Sequence, residues 1–149
     1  MSQTQPTDVD FEIEKEVWNS YDLADGTRIK SRAILVKLVR VPSQNVGESL
    51  YNATFQNVLS AFVHPRNKGS GGRPYTDQEI KGLSKEEVNF TTEYEDWNIY
   101  RLPDGTRMKT KLVVSSILKV KQEGVYNVFG EPLYVVNWTN VLAPVPKAQ

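Results

Sequence analysis

The chain contains no cysteine. That excludes disulfide staples, thiolate nucleophiles and cysteine-based metal sites. It has one histidine, His64, set beside Pro65. A single imidazole without a second one or a thiol does not complete the usual zinc shell, and neither HExxH nor CxxC spacing occurs. There is no net charge, because 18 basic side chains balance 18 acidic ones, so no overall field draws the molecule to nucleic acid or to a membrane. No window approaches the roughly 20 apolar residues that span a bilayer. The start, MSQTQPTDVDFEIEKEV, has no basic patch leading into an apolar run, and so does not read as a secretory signal. The glycine-rich NKGSGGRP lacks the GxxxxGK[ST] order of a phosphate loop. These absences predict a soluble, cytoplasmic protein that is not an enzyme, with no metal, no cofactor and no membrane partner.

What the chain does have is one stretch used twice. Residues 18–41 align without a gap on residues 97–120, at a spacing of 79. Trp18, Asn19, Tyr21, Leu23, Asp25-Gly26-Thr27-Arg28, Lys30 and Val41 meet the same residue types in Trp97, Asn98, Tyr100, Leu102, Asp104-Gly105-Thr106-Arg107, Lys109 and Val120. A break follows at 42–45, and the alignment resumes at a spacing of 83. Gly47-Glu48-Ser49-Leu50-Tyr51 then meets Gly130-Glu131-Pro132-Leu133-Tyr134, and Phe55 meets Trp138, which marks Trp138 as a core position. The four-residue difference places an insertion within 121–129, in a surface loop. Self-similarity of this kind implies an internal duplication.

Local pattern assigns each copy to β structure. Phe11, Ile13, Val17, Tyr21 and Leu23 alternate with polar residues, as in a strand with one wet face. The turn after it, Ala24-Asp25-Gly26, becomes Pro103-Asp104-Gly105 in the second copy. Proline suits the first corner of a type I turn, with the glycine left-handed as a bulge. That choice sets a register: Leu23 with Thr27, Tyr21 with Ile29, Asn19 with Ser31, and Asp22 with Arg28, Ser20 with Lys30, Trp18 with Arg32 on the other face. The next strand is apolar on both faces beyond Arg32, through Ile34, Val36 and Leu38. This predicts a long strand passing between two layers, as in small barrels.

The expected architecture is therefore all-β and mainly antiparallel, an internal duplication of a small SH3-like or barrel-like unit. Residues 1–10 read as a disordered tail, 11–63 as the first repeat, and 90–146 as the second. Residues 64–89 read as a Gly-rich linker, in which Thr76-x-x-Glu79 and Ser84-x-x-Glu87 each have the capping-box signature of a short helical turn. The two units are expected to pack together, because units of this size are marginal alone.

The surface feature that points to function is a repeated basic stripe. Arg28, Lys30 and Arg32 alternate along one strand face, and Arg107, Lys109 and Lys111 repeat them. The register places Trp18 beside Arg32 and Trp97 beside Lys111. A positive stripe with exposed aromatics suits phosphate contact plus base stacking. Cross-strand cation–π pairing, with Glu12, Glu14 and Glu16 neutralising the stripe, is the favoured reading of the two, given the balanced net charge. Arg101 faces Arg107 where the first copy has Asp22 facing Arg28. Such a pair is either solvated or holds an anion, so if one copy binds a phosphate or carboxylate it is expected to be the second. The sequence favours a non-catalytic binding or assembly module with a macromolecular partner, a protein or a larger assembly, over single-stranded RNA or DNA binding.

Overall fold

The computed structural model describes residues 5–42 and 50–147. The loop expected at 42–45 and the matched Gly47-Glu48-Ser49 lie outside them apart from Pro42, as do residues 1–4 of the expected tail. The described chain is all-β and antiparallel, two five-stranded sheets with one short helix. In chain order the strands are β1 (Thr7–Asp8), β2 (Glu12–Lys15), β3 (Asn19–Leu23), β4 (Arg28–Val41) and β5 (Leu50–Phe62). A 3-10 turn (Pro65–Asn67) and α1 (Asp77–Lys81) come next. Then follow β6 (Lys85–Glu87), β7 (Phe90–Tyr94), β8 (Asn98–Arg101), β9 (Arg107–Val120) and β10 (Tyr134–Val145).

Each sheet is built on one 14-residue strand. Along β4, β5 covers one side; β3 and β1 share the other, with β7 outside β3. Along β9, β10 covers one side; β8 and β6 share the other, with β2 outside β8. Neither sheet closes into a barrel among the described residues, because each ends in outer strands.

The turn and register follow the residue chemistry. Asn19 pairs with Ser31, Ser20 with Lys30, Tyr21 with Ile29 and Asp22 with Arg28. Leu23 N–H donates to Thr27 C=O at 2.8 Å, and Gly26 sits at φ 90°. The second hairpin repeats this, with Gly105 at φ 88°. A side chain is strained at such φ values, which is why glycine holds both positions.

Three sequence expectations are corrected. The alternating run 11–23 is not one strand: it breaks into β2 and β3, which belong to different sheets, and Ile13 is left 60% exposed. The double-sided apolar run in β4 does not mark passage between layers. The ladder shifts between Leu35 and Lys37, so Val36 bulges out and Leu35 and Leu38 both turn inward. The equivalent shift in β9 falls at Ser115, 79 residues on. Finally, Ser84-x-x-Glu87 does not start a helical turn. Lys85, Glu86 and Glu87 pair instead with Val120, Lys119 and Leu118, and Val88 drops into the core. A ladder plus a buried valine outweighs an isolated turn, which has a costly nucleus. The other capping box, Thr76 with Glu79, does open α1.

Two regions read as unstructured also make contacts. Thr7 and Asp8 pair with Arg40 and Val39. The Gly-rich stretch lies against the 121–129 insertion: Gly69 N–H donates to Gly130 C=O at 2.8 Å and Arg73 N–H to Tyr126 C=O at 3.1 Å. A β-carbon on Gly69 would overlap the Tyr126 ring, and one on Gly72 the Asn127 carbonyl. Close approach, rather than flexibility, explains those glycines.

The core has two clusters, and each takes residues from both sheets. Tyr21, Leu23 and Ile29 meet Val88, Val114 and Ile117; Tyr100, Leu102 and Met108 meet Leu35 and Leu38. Trp138 packs on the first and Phe55 on the second. So β4 begins in one cluster and ends in the other, and β9 does the reverse.

Candidate interaction surface and the contacts between halves

The residues singled out from sequence fall on the β4 and β9 hairpins, and each cation has a partner. Arg28 bonds Asp22 through Nε at 2.7 Å and Nη2 at 3.2 Å. Lys30 lies 5.5 Å from the centre of the Phe62 ring. Arg32 donates to Glu16 at 2.6 and 3.0 Å and stands 5.8 Å from the Trp18 ring. In the second hairpin Arg107 pairs with Glu14 at 3.4 Å and Arg101 with Glu12. Lys109 and Lys111 lie 4.9 and 5.5 Å from the Trp97 ring, and Lys111 reaches Glu95 at 3.5 Å.

The like-charge pair of Arg101 and Arg107 therefore has its anions within the chain. They are Glu12 and Glu14, which β2 brings alongside β8. No group of three or more His, Cys, Asp or Glu side chains is placed to hold a metal among the described residues. His64 caps the 3-10 turn, its Nδ1 accepting from Arg66 N–H at 3.1 Å.

The contact set that sequence reading missed joins the halves, and it recurs at the same spacing of 79. Tyr21 Oη donates to Glu95 at 2.7 Å, and Tyr100 Oη to Glu16 at 2.8 Å. Asn19 Nδ2 donates to Leu112 C=O at 3.3 Å, and Asn98 Nδ2 to Ala33 C=O at 3.2 Å. Asn19 Oδ1 accepts from Asp96 N–H at 3.2 Å, and Asn98 Oδ1 from Val17 N–H at 2.9 Å. Phe90 stands edge-on to Tyr21, as Phe11 does to Tyr100. Burial, then the bond to its glutamate, raises the pKa of each of these tyrosines.

The cause is an exchange of strands. The segment with β1 and β2 leaves the first sheet after Asp8 and joins the second beside β8. The segment with β6 and β7 leaves the second sheet and joins the first beside β3. A signal for it lies upstream of the alignment, where Val9, Phe11, Glu14 and Glu16 meet Val88, Phe90, Glu93 and Glu95 at the same spacing.

The turn aspartates also cross between halves. Asp25 Oδ2 accepts from Tyr134 Oη at 2.6 Å and Lys119 Nζ at 2.9 Å, while its Oδ1 accepts from Thr27 N–H at 2.9 Å. Asp104 answers with Arg40 at 3.1 Å and Thr106 N–H at 2.9 Å. Burial pushes the Asp25 carboxyl up, but the bonds from Tyr134, Lys119 and Thr27 outweigh it and hold the pKa at about 2, below the ordinary 3.8. A depressed carboxylate contributes stability above its unfolded pKa and loses it as pH falls through the folded one. The difference corresponds to about 2 kcal/mol. Asp25→Asn is expected to be less stable than the native chain at pH 7 and to converge with it between about pH 4 and pH 2, by urea melts across that window.

The chain matches no protein-family model, no curated protein and no solved structure.

Proposed function

We propose that this chain is a non-catalytic binding or assembly module, working in the cytoplasm, made of two copies of one small β unit that have exchanged strands. It engages a macromolecular partner, a protein or a larger assembly. The observation that carries this reading is how the charges are used. The cations of the two hairpins are engaged by the chain's own carboxylates and rings, while large apolar side chains stand exposed, among them Trp18, Leu50, Leu59 and Phe62. Exposed apolar surface beside cations that already have partners within the chain favours a protein partner. Affinity purification with mass spectrometry tests it. A macromolecule that co-purifies supports the reading; recovery of a small turnover substrate or a bound cofactor instead would overturn it.

One feature supports single-stranded nucleic acid as the second reading. Trp18, Lys30, Ser60 and Phe62 line one shallow cleft, so two aromatic rings flank a cation. If the six stripe cations exchanged their internal partners for phosphates, the logarithmic salt slope would be roughly −4 to −5. The module reading predicts no quenching of indole fluorescence by a single-stranded oligonucleotide at low salt; quenching with that slope would instead establish the second reading.

A further inference from the structure

The outer strands of the two sheets fall into two kinds. The short ones all carry charge: β1 reads TD, β2 EIEK, β6 KEE and β7 FTTEY. Short length and charge are how sheets prevent their edges from pairing with other chains. The long ones are different. Strand β5 reads LYNATFQNVLSAF and β10 reads YVVNWTNVLAPV, 13 and 12 residues without one charged side chain. Both are hydrogen-bonded along their length to β4 or β9 and pair with no other strand among the described residues. Their inward side chains are incompletely covered as well: neither strand has a fully buried residue, although Phe55 and Trp138 pack on the core clusters.

We infer that β5 is an interface between two copies of this chain, which pair β5 with β5 antiparallel to make one sheet across the dimer. This rests on the assembly-module reading and names its partner. An edge that pairs with no second strand among the described residues and has no charged side chain suits an extended, uncharged strand of similar length. Strand β5 itself meets that description, and antiparallel pairing of a strand with its own copy is self-complementary about a two-fold axis. Strand β10 is the poorer edge because Pro144 has no N–H to donate. Strand β5 also exposes the larger apolar groups, with Leu50, Leu59 and Phe62 at 51%, 41% and 55%.

Analytical ultracentrifugation of the full chain over a concentration series tests the inference. The expected result is a reversible dimer, twice the 16.9 kDa chain mass, whose dissociation constant is insensitive to salt. Asn52→Lys with Gln56→Lys places like charges on the exposed side of the β5 pairing, and is expected to give a monomer with an unchanged circular dichroism spectrum. Thr139→Lys, on β10, is expected to leave the dimer intact. A chain that stays monomeric up to its solubility limit overturns the inference, as does a dimer that dissociates at high salt. So does a dimer that survives the β5 charges but is lost with Thr139→Lys. A monomeric chain that still co-purifies with another macromolecule would overturn this inference alone and leave the binding-module reading standing.

Discussion

Expressed as separate fragments divided after residue 75, neither half of this chain is expected to fold alone. The first fragment would keep β1 to β5 but lose β7 from the outside of β3, and its own β2 would have no β8 to pair with. Tyr21 would lose Glu95, and each core cluster would lose the residues supplied by the other half. The loss is mirrored in the second fragment. A domain's net stability is only about 5–15 kcal/mol, and units this small bury too little surface to replace half a core. Each fragment should show no cooperative thermal transition by circular dichroism, and mixing the two should restore one. A fragment that melts cooperatively as a monomer would refute the exchange as the basis of stability.

Glu16→Ala is the single substitution with the largest expected cost. The Glu16 side chain is only 5% exposed and accepts from Tyr100 Oη at 2.8 Å and Arg32 at 2.6 and 3.0 Å. Alanine leaves the buried Tyr100 hydroxyl without its acceptor and a guanidinium that is still 34% exposed without its carboxylate, which together cost about 2–3 kcal/mol, less than breaking a fully buried ion pair. Glu95→Ala should cost less, because Lys111 is 3.5 Å away and Glu95 is 17% exposed. Urea denaturation compares the two. A Glu16→Ala midpoint close to the native one, within the roughly 0.5 kcal/mol typical of surface changes, would show that the cross-half contact is dispensable.

Local chemistry was enough to type the hairpins. Proline in one hairpin and glycine in both admitted one turn, and that turn set the pairing of Asp22 with Arg28 and Tyr21 with Ile29. Such contacts lie within a few residues of the turn, so propensity and side-chain alternation decide them. The helix α1 was legible for the same reason, through its capping box. The basic stripes were legible as stripes, since alternation fixes which side chains share a face.

What alternation does not contain is the partner strand. An outward Glu12 or Glu14 reads the same whether it faces solvent or Arg101 and Arg107 on the other half. The bulges at Val36 and Ser115 likewise have no local mark, because they arise where each strand must turn Leu38 or Ile117 into a cluster supplied by the other sheet. Lys85 to Glu87 carried a helix signal, and only a free edge of β9 made a strand of it. The amino-acid sequence by itself determined two hairpins and their registers. Tertiary structure decided that they exchange strands, since pairing across roughly 80 residues is settled by which edges and apolar faces remain to be covered once the local structure has formed.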